Sequence, residues 1–522
     1  SLELASAGHS VRLFSVQSSE RAQSNLAEGG INAALDLMGE GDSIKEHFDD
    51  TMKGGCYLAD PNMVRNLTEN APDIVLSLKR LGVPFQHEDG HMVQRSFGGQ
   101  KKKRTAFVKS TTGKALTTAL IDRLRYFEAE GLIDRFSHHS FERLIIEDEK
   151  VTGFVIRDVY TDKTYISRGI VIIACGGMNG LFFSHTTGTT ANTGSLAASL
   201  FASGVKFANL EFIQYHPTTV AINDKRMLIS EAARGEGGRL FYYRKDGSKS
   251  YFLEEIYGKG GNLMPRDVIS RTMARLGKDV YLDMTHLSQD IWDNRLLDLR
   301  EEIIHYKAVD PAIEPISVSF GIHYFMGGIA VDETHHTSVR HLYAAGECAA
   351  AYHGANRLGG NSLLGAVYGG RMAAGSVISD ISKDHTLEEA SSQITSDDKL
   401  SIEERKSDYT YITYDEEVIE KQLEDILSET LSILRSEQSL ERGLKELRSI
   451  PKEDASDELK SRILLGEAMI RSALNRKESR GAHTRTDYPD TLDKYHKTTI
   501  ARLEDGAVNI TLEDIPVLRE EI

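Results

Sequence analysis

The chain is short of cysteine, of positive charge and of long apolar runs, and each shortage closes a class of function. Its 522 residues include three cysteines, Cys56, Cys175 and Cys348. These lie far apart and form no CxxC pair, so neither a disulfide framework nor a zinc or iron–sulfur site can be assembled from them locally, and no metal ligand set is expected. Lysine and arginine number 62 against 78 acidic residues, a formal charge of −16. Without surplus cations to displace phosphate counterions, nucleic acid is not expected as a partner. The same balance obliges any site for an anionic ligand to create its own local positive field. No apolar run approaches the ~20 residues of a membrane helix, and no signal peptide is present. Also absent is a GxGxxG that follows a strand and opens a helix. Residues 1–8 read as the end of a helix and 10–16 as a strand, whereas a dinucleotide-binding fold normally opens with a strand and Gly-rich turn before such a helix. The expectation is that this first strand and turn, from a unit of ~30 residues, lie upstream of Ser1. The usual pyrophosphate-binding turn would be lost with them, and secretion stays open.

What is present is the composition of an ordinary globular protein, long enough for roughly three or four domain-sized units. Strand-like runs at 11–14, 144–146, 154–156 and 170–174 alternate with amphipathic helical stretches such as 73–81 and 116–129. This alternation predicts an α/β architecture. The run Ile170-Val-Ile-Ile-Ala174 is apolar on both faces and stops at Cys175-Gly-Gly177, which suits a buried strand ending at a ligand or at a plain turn. After about Lys383 the character changes. Residues 391–408 are polar, and 414–447 and 457–475 show helical periodicity with many charges, as expected of a separate helical domain behind a linker. The basic run Lys101-Lys-Lys-Arg104 reads as solvated loop surface.

Five segments carry candidate chemistry. Tyr343-Ala-Ala-Gly-Glu-Cys-Ala-Ala-Ala-Tyr-His-Gly-Ala-Asn-Arg-Leu-Gly-Gly-Asn-Ser-Leu-Leu364 follows a short strand. It places Gly346 at a tight turn, Glu347 as an acceptor and Arg357 among small residues that let backbone approach a bound group. An Arg so placed is a fork for carboxylate or phosphate. In Gln214-Tyr-His-Pro-Thr218, a His before Pro sits on extended or turning backbone and can project into a cleft. In Ser230-Glu-Ala-Ala-Arg-Gly-Glu-Gly-Gly238, Glu231 and Arg234 are spaced to pair on a helical turn. Pro265-Arg-Asp-Val-Ile-Ser-Arg271 starts a helix with Arg266 in its first turn, where a cation opposes the dipole. His323-Tyr-Phe-Met-Gly-Gly328 joins a His to a close-approach Gly pair. Singly, a core histidine, a surface ion pair, a surface Arg or a structural turn accounts for each.

Together and in this order, the segments resemble the succinate dehydrogenase/fumarate reductase flavoprotein family over nearly the whole chain. Glu28-Gly-Gly-Ile-Asn32, Arg95-Ser-Phe-Gly-Gly-Gln100 and Asn475-Arg-Lys-Glu-Ser-Arg-Gly-Ala-His483 extend the resemblance. It implies a discontinuous Rossmann-like FAD-binding domain (1–211 and 324–385), an inserted capping domain (212–323) and a C-terminal helical domain with a tail (400–522). Substrate would lie between flavin and cap, with His216, Ser230, His323 and Arg357 holding the carboxylates of fumarate or succinate and Phe97 beside them. Arg266 matches the family's proton donor, and Glu231 and Arg234 the relay that reprotonates it. Gly29, Gly30, Gly177, Glu347, Asn361, Ser362 and Leu363 are the implied flavin contacts, with Glu347 on the ribose. The family also implies a separate iron–sulfur subunit, often with a membrane anchor, hence a cytoplasmic protein or one peripheral on the membrane through its partners.

Two departures matter. Many relatives carry Arg-Ser-His-Thr at a fixed distance before their Gln-Gly-Gly, and that His bonds the flavin covalently. Here the segment is Arg21-Ala-Gln-Ser24, and Gln23 cannot form the bond. Noncovalent FAD and a bias toward fumarate reduction are therefore expected. Asn192-Thr-Gly-Ser195 lacks the Asp that relatives often show after the Gly. The alternatives are L-aspartate oxidase, whose pattern places Glu where this chain has Phe97, and a flavin-binding protein without catalysis.

Overall fold

A computed structural model describes residues 1–223, 225–383, 414–453 and 455–520. The polar linker read at 391–408 and the start of the helical domain expected from 400 lie outside these residues. So does the expected first strand, which would precede Ser1.

Of the apolar runs of the first half, those at 11–14 and 170–174 become short parallel strands. Val11–Ser15 pairs with Ile133–Ser137, and Val171–Ile173 pairs with Leu342–Ala344. The second pair joins segments some 170 residues apart, so the nucleotide-type domain is discontinuous, as expected from the resemblance. The amphipathic stretches are the helices Pro61–Arg80 and Thr112–Ala129. An antiparallel sheet of His139–Glu147, Lys150–Asp158 and Thr164–Arg168 covers one side.

Between these parts is a six-stranded sheet built on two long antiparallel strands, Ile213–Ile222 and Ile316–Phe325. Its core gathers Val220, Ile229, Leu240, Phe252, Ile269, Trp292 and Val318. The two strands both enter and leave this unit, so their paired ends fix its position over the rest. Their register shifts between His216 and Thr219. Pro217 has no N–H to give the ladder, and the resulting irregularity re-aims the side chain before it.

The C-terminal part is helical only to Asn475. Helices Tyr414–Thr430, Glu437–Ser449 and Asp457–Asn475 pack into the largest hydrophobic cluster through Leu423, Leu427, Leu440, Leu447, Ile463 and Met469. The periodicity read as continuous over 414–447 is broken where Leu434–Arg435 pairs with Thr484–Arg485, and Ser436 and Ser439 cap the next helix reciprocally. Beyond the last helix, Lys497–Glu504 and Ala507–Asp514 form a hairpin that joins Phe207–Ala208 and Gly328–Ala330 in a five-stranded sheet. The tail is thus part of the flavin-side architecture, a pairing too distant in sequence to be read from local pattern.

This junction rests on buried charge. Arg476, fully buried, donates to Glu211 at 2.6 Å, Glu478 at 3.0 Å, Thr499 Oγ1 at 2.8 Å and the carbonyls of Tyr495 and Lys497 at 2.7 Å. Removing one member of such a set strands buried charge. Arg476→Ala should lower stability by about 3–5 kcal/mol in urea unfolding, and Arg476→Lys should recover little, because one ammonium cannot reach five acceptors set out for a planar fork.

Candidate active site

A cavity of about 930 Å³ runs from the gap between the two parallel strand pairs to the underside of the six-stranded sheet. That is within the range of small-molecule and cofactor sites. At its inner end the paired long strands present His216 and His323, whose ring centroids are 5.3 Å apart. His323 Nδ1 meets Thr187 Oγ1 at 2.8 Å. His216 Nδ1 lies among Thr218 atoms at 3.1–3.3 Å, while its Nε2, buried, has no protein partner. Burial pushes both imidazoles well below the ordinary histidine range, with Arg266 adding to it, so both are neutral near pH 7.

Two short helices bring the charged groups in. Ser230 caps Glu231–Gly235, accepting the amide of Ala232 at 3.4 Å. Pro265 precedes Arg266–Leu276, as the sequence predicted. Arg266 donates through Nε to Glu231 Oε2 at 2.8 Å and through Nη1 to Gln214 Oε1 at 3.1 Å. Glu231 Oε1 accepts the Gly98 amide at 3.0 Å and stands 4.0 Å from Arg234 Nη2. Burial alone would raise the Glu231 carboxyl, but Arg266 and Arg234 outweigh it and hold the group below its usual value. Arg357 donates to the same Gln214 Oε1 at 3.0 Å, lies 4.3 Å over the Tyr324 ring, and keeps a buried Nε without a partner. Desolvation, with repulsion from Arg266, pulls its guanidinium down to about 9, still charged at neutral pH. Three guanidinium groups therefore face one carboxylate here. This is the local positive field that a chain of charge −16 requires for an anionic ligand.

The outer end is bare backbone and small side chains. Gly346 turns at φ +79°, and Gly176 at φ +75°. A Cβ on Gly177 would lie 2.4 Å from Glu347 Oε1, and one on Gly29 would lie 2.8 Å from the Phe97 ring. Gly30, at φ +131°, packs against Thr105 and Ala106. Glu347 Oε1 accepts the Phe325 amide at 3.1 Å, and burial pushes its carboxyl up to about 7. Gly29, Gly30, Phe97, Gly177, Glu347, Ser362 and Leu363 all line the cavity, as do His216, Ser230, Glu231, Arg266, His323 and Arg357. Gln23 is there too, its Oε1 accepting the Thr189 amide at 2.5 Å, and so is Asn192.

A family model described as the FAD binding domain matches residues 1–363, and one described as the fumarate reductase flavoprotein C-terminus matches 420–522. The chain belongs to the succinate dehydrogenase/fumarate reductase flavoprotein family. It is an FAD-dependent oxidoreductase of that type. Within the family it is 34% identical to the succinate dehydrogenase flavoprotein subunit of Bacillus subtilis, over 96% of this chain and 91% of the relative. It is 31% identical to the fumarate reductase flavoprotein subunit of Mycobacterium tuberculosis, again over 96% of this chain and 91% of the relative. Escherichia coli quinol fumarate reductase superposes with a TM-score of 0.85 at 27% identity, covering 100% of this chain and 94% of the other. Adenylylsulfate reductase of Archaeoglobus fulgidus shares the fold alone, at 18% identity and a TM-score of 0.73.

The cavity fits the family's FAD by its own features. A Gly-rich rim admits a planar group, a buried acceptor stands at Glu347, and an unpaired donor, Arg357 Nε, waits at the far end.

Two expected residues sit off the cavity wall. Asn361 turns its side chain away, fully buried and bonded to Asn32, His47 and Thr51. Arg234 stands behind Glu231, donating to the Asn262 carbonyl at 2.6 Å. Residues missed by the sequence reading include Gln214, which was in a motif but given no role, and Tyr324. Glu28 was also missed, although it lines the cavity with a buried, unpaired Oε2. Burial first, then repulsion from Glu302, pushes its carboxyl up to about 8, against a smaller opposing contact from Ser230. A carboxyl whose folded value exceeds its ordinary 4.5 favours folding at low pH and loses that contribution as pH rises toward about 8. In differential scanning calorimetry of the flavin-free chain, the melting temperature should therefore fall relative to that of the Glu28→Gln variant as pH rises between about 5 and 8.

Proposed function

We propose that the site interconverts fumarate and succinate, and that it works mainly as a fumarate reductase. The observation that carries this reading is the chain Arg234–Glu231–Arg266, which ends beside Arg357 and two neutral histidines in one buried cavity. A dicarboxylate fits it: Arg357 and His323 take one carboxylate, and His216 and Ser230 the other, with Phe97 as an apolar wall. In the tautomer whose Nδ1 accepts the Thr218 amide, His216 points an Nε2–H at the substrate.

FAD, when bound, supplies the two-electron hydride chemistry. The protein's part is to clamp and twist the substrate, exclude water and deliver one proton. Arg266 gives that proton to a substrate carbon, and Glu231, backed by Arg234, returns one to it. Free arginine is too weak an acid for this. The step becomes feasible because proton loss is coupled to electron-pair arrival at the neighbouring carbon, in a geometry fixed beforehand. Fumarate then gains two electrons and two protons. The electrons come from a separate iron–sulfur subunit, through which the chain attaches peripherally to a membrane. FAD is held noncovalently, because Gln23 stands where the bonding His would be, and the weaker electron pull of an unlinked flavin favours reduction.

A second reading, L-aspartate oxidation, draws on Glu28, a carboxyl in the cavity that an ammonium would pair with. Burial keeps that carboxyl protonated at neutral pH, and Phe97 occupies the position where the oxidase pattern has an acid, so fumarate is preferred.

Fumarate reduction with a chemically reduced dye should exceed both succinate and aspartate oxidation by the same preparation; dominant aspartate turnover would reverse the choice. Arg266→Ala should cut kcat by about 10³-fold or more while dicarboxylate still perturbs the flavin spectrum. After acid precipitation the yellow colour should be in the supernatant, and flavin in the pellet would show a covalent link.

A further inference from the structure

Asn32 follows the Gly pair at 29–30, does not itself line the cavity, and is fully buried. Its side-chain amide uses every hydrogen-bonding position it has. Nδ2 donates to the Gly359 carbonyl at 2.8 Å and to Asn361 Oδ1 at 2.7 Å. Oδ1 accepts from Gln100 Nε2 at 3.0 Å and from Thr105 Oγ1 at 2.6 Å. The Gly359 carbonyl can only accept, which fixes the amide's orientation. The Asn32 backbone N–H adds a bond to the Gly360 carbonyl at 3.2 Å.

The bonded segments are the two walls of the substrate end. Gly359 and Asn361 follow Arg357 by two and four residues. Gln100 closes the turn that carries Phe97 and Gly98, and the Gly98 amide holds Glu231. Gln100 also donates to the Gly359 carbonyl at 2.8 Å, so the walls are joined twice, both times around Asn32. The fit leaves no slack, since a Cβ on Gly360, at φ +84°, would lie 2.1 Å from Asn32 Oδ1. Behind Asn361, His47 Nε2 lies 3.1 Å from its Oδ1, and its Nδ2 donates to Thr51 Oγ1 at 3.0 Å. A neutral network whose central amide has every hydrogen-bonding position filled favours one arrangement strongly over others.

We propose that Asn32 is a positioning residue for substrate affinity: it sets the separation between the Arg357 wall and the Phe97–Gly98 wall. The proposal rests on the dicarboxylate reading of the site. Asp would set acceptors against the Gly359 carbonyl and Asn361 Oδ1, Leu would remove four hydrogen bonds that join the walls, and Gln is one methylene longer than the space Asn32 fills.

The test uses the FAD-loaded chain. Asn32→Ala and Asn32→Asp should each raise KM for fumarate about tenfold or more with kcat within about threefold, the signature of lost uniform binding. Gln100→Ala, in a less buried position, should give a smaller rise with the same split, and it carries the test if the Asn32 variants fold poorly. Amide hydrogen exchange should quicken at 357–361 and 97–100 and stay unchanged in the helix Asp457–Asn475. On an Arg357→Lys background, Asn32→Ala should add less than about twofold to KM, because both changes act on one contact. Loss of kcat at unchanged KM, exchange that rises uniformly, or a full Asn32 effect on the Arg357→Lys background would each overturn the proposal. Absence of fumarate turnover by the unmutated chain would instead count against the functional reading, and the exchange pattern would still decide the positioning role.

Discussion

Two guanidinium groups, Arg266 and Arg357, share one amide oxygen, Gln214 Oε1. Like charges at this distance repel, and each group's burial adds a desolvation cost. Gln214 is itself pinned: its Nε2 donates to Asn356 Oδ1 at 2.8 Å and to the Arg357 carbonyl at 2.9 Å, so the oxygen has no freedom to turn away. The surrounding structure is arranged to hold this pair. The strand Ile213–Ile222 carries Gln214 and His216, the helix Arg266–Leu276 brings Arg266 under it, and the segment after Leu342–Ala344 returns Arg357 from the other half of the discontinuous domain.

The electrostatics follow from that arrangement. Glu231 neutralises part of the charge and stays ionised because two guanidinium groups flank it, while burial beside cations keeps His216 and His323 neutral. A positive surplus results in the interior of an acidic protein, where low polarisability strengthens each contact with an anion. The buried donor Arg357 Nε and the buried ring nitrogen His216 Nε2 lack protein partners. Leaving such groups unpaired typically costs about 1–3 kcal/mol each, a cost that an anion in the cavity removes. Stability and ligand affinity are thus opposed at this site. The neutral network behind Asn32 and the buried ion pairs around Arg476 hold the scaffold in place despite it.

Much of this was legible in the chain. The apolar run before Cys175, the Gly346 turn, the helix start at Pro265 and the pairing of Glu231 with Arg234 depend on neighbours within a few residues, so local pattern sufficed. The dicarboxylate-type cluster was assembled through resemblance of motifs in order. Other features were not legible. Gln214 looked like an ordinary strand residue, and its bridging role appears only when segments 52 and 143 residues away converge on it. Glu28 read as part of a glycine motif, because its protonation depends on burial and on Glu302 across a domain junction. The terminal hairpin could not be assigned to the flavin-side sheet, since strand pairing at that separation leaves no periodic signal.

By itself, the sequence determined the α/β alternation, the order of the motifs, the family they resemble and the presence of glutamine at position 23. These are properties of residue identity and short-range spacing. Only the tertiary structure decided which of the motif residues face the cavity, turning Asn361 inward and setting Arg234 behind Glu231. It also decided which carboxyl groups are ionised and which amides tie the walls together. The physical reason is that desolvation, charge pairing and hydrogen-bond satisfaction depend on what surrounds a group in space. In this fold, those surroundings are supplied by segments hundreds of residues apart.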